Sequence, residues 1–223
     1  MTGANPKLEA LQNFLSENFD FRYNVLTDMP ECKPKNTNTY RMIDKRMMNT
    51  LCLRAMMQGV DCNDADVKRI LFSEQIASHH PFKDYMNDLP EWDGTDRVTM
   101  LAARVSGNGM WLNGFHYWML GMVAQWLGYP ARCANALAPI LISTEQGMGK
   151  STFCSMILPE ELRPYYTDKF AITSTSGCEQ KISTFGLINM DEFNMYTERM
   201  MTILKNLMQM KKVNYRKCFK AYF

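Results

Sequence analysis

Apolar positions in the first eighty residues recur at two different periods. Leu8, Leu11, Phe14 and Leu15 fall at helical spacing and predict a short amphipathic helix at the start of the chain. Phe21 to Leu26 then reads as a strand with Tyr40 to Ile43 as its partner. The polar, proline-containing TDMPECKPKNTNT between them reads as the connection of a hairpin. Helical periodicity resumes over Lys45 to Gln58 and over Asp64 to Ala77, the second opened by Asp64 or Asn63 as N-cap. HHPF at 79–82 and LPEWDG at 89–94 are turn-rich punctuation. From there to about Leu127 the pattern is helical, with Leu112, Phe115, Met119, Leu120, Val123 and Leu127 on one stripe, stopped by Gly128, Tyr129 and Pro130. No run approaches the roughly 18 apolar residues of a membrane span.

The texture changes at residue 136. ALAPILI (136–142) is a short continuous apolar run, the form of a strand buried on both faces of a parallel sheet. It leads into Ser143, Thr144, Glu145, Gln146, Gly147, Met148, Gly149, Lys150, Ser151 and Thr152, and then into an apolar helix closed by Pro159. Strand, glycine loop and helix in that order are the setting of a phosphate-binding loop. Gly147 and Gly149 allow the backbone to curl with its N–H groups inward, Lys150 can reach the β- and γ-phosphates of ATP, and Ser151 can ligate Mg²⁺. Residues 145–152 are therefore the expected nucleotide-binding stretch. Thr144 stands where the full pattern has its first glycine, a turn residue that helicase-type loops often omit.

A second strand-like run, Leu187 to Met190, ends in Asp191 and Glu192, 41 and 42 residues after Lys150. Adjacent carboxylates at the end of a strand suit a nucleotide site, Asp191 holding the Mg²⁺ shell and Glu192 deprotonating the attacking water. Lys150 and Glu192 are the expected catalytic residues, Ser151 and Asp191 the expected metal ligands. Between the two motifs Pro164 to Thr167 reads as a strand and Cys178 to Phe185 as a helix. An amphipathic helix over Thr197 to Met210 carries Met200, Ile203, Leu204, Leu207 and Met208 on one face. Cys154 reads as core, with nothing near it to activate a thiol.

Composition changes this picture little, and charge changes it more. Hydrophobic residues are 46% and charged residues 22% of 223, an ordinary globular balance that excludes a disordered or fibrous chain. Twenty methionines read as adaptable core filler rather than as a Met-rich binding surface. Seven cysteines without a CxxC pair or an export signal fit reduced thiols, and hence a cytoplasmic protein. His116 on the apolar stripe reads as a core histidine, and His79 and His80 lack a third ligand at metal spacing. The net charge of +2 is the sum of a −4 body and a tail, 201–223, that carries six cations and no acid. In that tail Lys211, Lys212, Arg216 and Lys217 alternate with Tyr215 and Phe219. That is the makeup of an element tracking single-stranded DNA, and equally of a solvated connection after a helix.

Taken together, FRYNVLTD, HHPFKDYMNDLPEWDGTDRV, NGFHYWMLGMVAQWLG, APILISTEQGMGKSTF, FGLINMDEFN and ILKNLMQM resemble the virulence-associated protein E ATPases of phages and mobile elements. The resemblance runs from about residue 8 to the end. It implies a helicase-type P-loop NTPase core of α/β fold at 136–223; the elements before it read as a helical subdomain at 81–135 and a small accessory α+β module at 1–80. It further implies a core similar to superfamily III helicases, acting on single-stranded or forked DNA in replication or mobilisation of the element. Such a protein is expected to form a homo-oligomer and to work beside a primase domain or partner, away from membranes. The sensor strand and arginine of such cores would come after Phe223, so the core reads as C-terminally truncated and this chain alone is expected to hydrolyse little ATP. The alternatives are a nucleotide-gated DNA- or protein-binding switch without helicase activity, and a phosphotransferase, against which Glu192 argues.

Overall fold

The structure is a computed structural model that describes residues 5–129, 137–172, 175–192 and 195–210. The chain divides between Pro81 and Phe82 into two units. In the first, helix α1 (Pro6–Asn18) starts at the N-cap Asn5, whose side chain accepts from Lys7 N–H, and buries Leu11, Phe14 and Leu15. Strand β1 (Phe19–Asn24) follows without a break and pairs antiparallel with β2 (Met29–Pro34). Strand β3 (Arg41–Met42) adds to the far edge of β2, and helices α2 (Lys45–Met57) and α3 (Asp64–Leu71) come next. Strand β4 (Ser78–His79) then returns parallel to β1, giving the order β3-β2-β1-β4. Phe14, Leu15, Phe19, Cys32, Leu51 and Val67 close one apolar cluster between the helices and the sheet.

Two expectations for this unit are corrected. The partner of β1 is β2, inside the segment read as a loop, and Tyr40 to Ile43 supplies only the edge strand. Pro30 and Pro34 disguised β2, because proline lacks the N–H of a ladder residue. Pro30 nevertheless accepts from Ile43 N–H at 2.9 Å, and the alternate positions Pro30 and Cys32 point inward. The turn between β1 and β2 is built on Asn24, wholly buried, whose side-chain Oδ1 accepts from Leu26 and Thr27 N–H while its side-chain amide donates to Glu31 at 2.7 Å. Helix α3 ends at Leu71 rather than Ala77, where Ser73 turns its hydroxyl back onto the Ile70 carbonyl at 2.7 Å. Its N-cap is Asn63, in a reciprocal capping box with Asp66.

The second unit opens within α4 (Pro81–Asn87), most of which lies between the two segments read as turns, followed by α5 (Arg97–Ala102) and the long α6 (Gly109–Leu127). Gly128 ends α6 at φ +71, a left-handed position that glycine adopts without strain. The buried line of α6 is Phe115, Trp118 and Met122, displaced from the expected stripe, and Leu120 is exposed. The displacement follows the aromatic volume: Trp111, Phe115 and Trp118 stack in sequence with centroids 5.3 Å apart. His116 is half-buried on the flank of this line, and no group of three or more metal-ligating side chains occurs among the described residues.

Helix α7 (Lys150–Met156) and a 3₁₀ turn (Glu160–Tyr165) precede β5 (Tyr166–Thr167), α8 (Thr175–Thr184), β6 (Leu187–Ile188) and α9 (Glu198–Gln209). Strands β5 and β6 pair in parallel, extended by Gly186 N–H to Tyr165 C=O and Asn189 N–H to Thr167 C=O. Residues 137–142, expected as a strand buried on both faces, join no ladder among the described residues, and Leu137, Ile140 and Ile142 are exposed. A strand is buried on both faces only within a sheet that is itself covered, and these residues have no described neighbour on either edge. The observed architecture is thus mixed α/β, with helices around two small sheets.

Candidate functional site

The α6 cluster sets the position of both motifs. Phe153 of α7, its C-cap Ile157 and Leu187 of β6 pack against it, so the helix after the glycine loop and the strand before the acidic pair share one apolar support. A second anchor lies at Gly186, directly before β6. The Trp126 indole donates to its carbonyl at 2.9 Å, and the Phe82 ring lies over its α-carbon, stacked between Trp126 and Tyr165.

On this support the loop from Ile142 to Gly149 is solvent-exposed. Gly147 and Gly149 sit at φ +78 and +79, which L side chains rarely adopt, and no other atom comes within 4 Å of where a Cβ would be. Lys150 Nζ donates to Ser143 Oγ at 2.5 Å and reaches the Glu145 carbonyl at 3.5 Å. Ser143 in turn donates to the same carbonyl at 2.7 Å. The lysine is therefore folded back over its own loop. Ser151 Oγ lies 3.1 Å from Asp191 Oδ2, joining residues 40 apart in sequence. The other Asp191 oxygen accepts from Glu192 N–H at 3.0 Å. Glu192 itself sits at φ +51, an uncommon conformation for a residue with a Cβ.

Of the expected site residues, the structure brings together Lys150 with Glu145 and Ser151 with Asp191, while Glu192 is joined only to the adjacent Asp191. Gln146, Met148 and Thr152 are exposed along the loop and the start of α7. Lys211, Lys212, Tyr215, Arg216 and Lys217 lie outside the described residues. The donor set suits Mg²⁺: one hydroxyl and one carboxylate oxygen leave most of an octahedral shell to water and phosphate, as Mg²⁺ prefers.

Several neighbours of Asp191 carry no motif. Burial raises the pKa of the Cys154 thiol and of the Tyr196 hydroxyl, and the Asp191 charge adds to both. Tyr166 is also raised, first by burial, against the effect of a hydrogen bond from Asn189. An open pocket of about 210 Å³ lies beside the acids, lined by Phe170, Ala171, Ile172, Asp191, Glu192, Met195, Tyr196 and Met200. Neither Lys150 nor Ser151 lines it. The parallel β5–β6 register sets Tyr166 opposite Leu187, from where its hydroxyl reaches Asn189 and feels the Asp191 charge; alternation within a two-residue strand could not reveal that from sequence.

The family model of virulence-associated protein E-like domains matches residues 86–222, more than half of the chain and including the loop, the acidic pair and the α6 cluster. The chain belongs to this family. Membership in the virulence-associated protein E-like family suggests a protein associated with phages or mobile elements. No curated protein matches the chain.

Proposed function

We propose that this chain is an ATP-binding and ATP-hydrolysing P-loop protein that acts on DNA in the replication or mobilisation of a phage or mobile element. The observation that carries the reading is the 3.1 Å contact of Ser151 with Asp191 beside a loop whose two glycines hold left-handed dihedrals. Hydroxyl and carboxylate meet there although neither needs the other for packing, since both are exposed. Mg²⁺ would be held by Ser151 and Asp191 and would neutralise charge on the phosphates. Lys150, now on Ser143 and Glu145, would exchange those oxygens for phosphate. Glu192 would accept the proton of the attacking water, and Asp191 holds its backbone N–H in place for that role. The basic tail supports a DNA partner by charge.

The test is nucleotide binding and turnover by the full chain with and without single-stranded DNA. Lys150→Ala is expected to weaken ATP binding at least tenfold. Glu192→Gln is expected to keep binding and to abolish the low turnover of this chain, a general base being worth about 10²–10⁴ in rate. Equal binding by wild type and Lys150→Ala would reject the site. Binding that is sensitive to Lys150 but with no DNA-stimulated turnover would favour the nucleotide-gated switch.

A further inference from the structure

Residues 87–97 form a run in which every residue is exposed. Within it Trp92 is 78% exposed, and Leu89 close by is 43% exposed. Trp92 is nonetheless held in place. Its indole donates to the Thr95 carbonyl at 3.1 Å, Gly94 turns the chain at φ +84, and Asp93 grips Arg97 through both carboxylate oxygens at 2.7 and 2.5 Å. Arg97 holds the Asp93 carboxyl well below the ordinary carboxylate range, so the clamp stays charged through the neutral region. A large apolar ring kept rigid in solvent is a preorganised contact, because little side-chain freedom remains to be lost on binding.

The charge of this arm selects its partner. Asp88, Glu91, Asp93 and Asp96 against Arg97 leave 87–97 at −3, which repels nucleic acid and favours a cationic segment. An exposed indole among carboxylates is also a receptor for Arg or Lys by cation–π attraction. The same chain contains such a segment. Residues 211–223, KKVNYRKCFKAYF, carry +5 with no acid, together with four aromatic rings. Thirteen extended residues span about 45 Å, whereas a domain of some 140 residues has a radius of gyration of only about 14 Å. Reach therefore does not restrict where the segment can dock.

We propose that the Trp92 arm is the docking site for the chain's own basic segment 211–223, with Trp92 receiving its cations and Leu89 its rings. The proposal does not depend on the nucleotide-site reading. The test places p-benzoylphenylalanine at Leu89 of the full chain and maps photo-crosslinked peptides. Crosslinks to 211–223 are expected, whether within one chain or between two copies. They should fall at least fivefold in Trp92→Ala and in the combined Lys211→Glu, Lys212→Glu, Arg216→Glu and Lys217→Glu variant. Trp92 is exposed, so its replacement leaves the fold in place. As a second measurement, synthetic KKVNYRKCFKAYF should bind the wild-type chain at least tenfold more tightly than Trp92→Ala. No crosslink to 211–223, crosslinks indifferent to both variants, or equal peptide affinity would overturn the proposal.

Discussion

Gly186 shows how little room separates support from site. A Cβ built there would stand 2.1 Å from Phe82 Cζ, and Phe82 cannot retreat because Trp126 and Tyr165 flank it at 4.6 and 5.4 Å. Gly186→Ala must therefore displace either the ring or β6, and overpacking of this kind costs about 1–3 kcal/mol. If β6 yields, Asp191 moves away from Ser151 as well. The expected outcome is a lowered melting temperature with partial recovery in the double variant Gly186→Ala, Phe82→Leu, read by calorimetry. An unchanged melting temperature would mean that the ring has space to move. Glu192 carries strain of a different kind, since its φ of +51 is tolerable only while the neighbouring Asp191 carboxylate fixes its N–H.

At the scale of elements, strand β2 joins stability to pH. Cys32 is 1% exposed at the centre of β2, opposite Phe21 in β1 and Arg41 in β3. Burial pushes its thiol up to about 11 from an ordinary 9.0, against a smaller opposing effect of Arg41. The native strand thus keeps a proton that the unfolded chain releases. Stability from this group is complete below pH 9 and declines as pH rises from about 9 to about 11, by ~1.4 kcal/mol for each unit. Denaturant midpoints of the wild type should fall across that window, and Cys32→Ala, though less stable throughout, should fall less steeply. Parallel slopes would show that Cys32 is not the group responsible.

That strand also marks what the sequence could and could not reveal. Helices α1 and α2 were legible because their buried residues recur at helical spacing, and the start of α3 because Asn63 is a residue whose side chain accepts from a free N–H. Strand β2 was not legible, since two prolines hide an alternation only two inward residues long. The contact of Ser151 with Asp191 could be anticipated because the two motifs were expected to face one site. Ser143, Tyr166, Asn189 and Tyr196 could not, because their place around Lys150 and Asp191 depends on a parallel register and on side-chain reach. The apolar run before the loop predicted burial that the described residues do not provide, as periodicity reports what a segment can bury but not whether a neighbour is there to bury it.

For the whole molecule, the division at Pro81–Phe82 has an energetic counterpart. Among the described residues, the cluster of α1–α3 and the first sheet draws on residues before Pro81, whereas the clusters around α6 and α9 draw on residues after it. Cooperative unfolding requires contacts that fail together, and separate cores need not do so. Asn24 offers a probe confined to the first unit. Asn24→Ala removes the partner of one Glu31 oxygen, the other remaining on Arg22, and of two turn N–H groups, a loss of about 1–3 kcal/mol if they stay buried. Gly186→Ala is the matching probe in the second unit. The expected calorimetric trace has two transitions, Asn24→Ala lowering one and Gly186→Ala the other, with the double variant lowering each by the same amount as its single change. A nucleotide bound through Lys150 and Asp191 should raise only the transition that Gly186→Ala lowers, because a ligand stabilises the state that binds it. A single transition shifted by both substitutions would instead show that the two cores unfold as one.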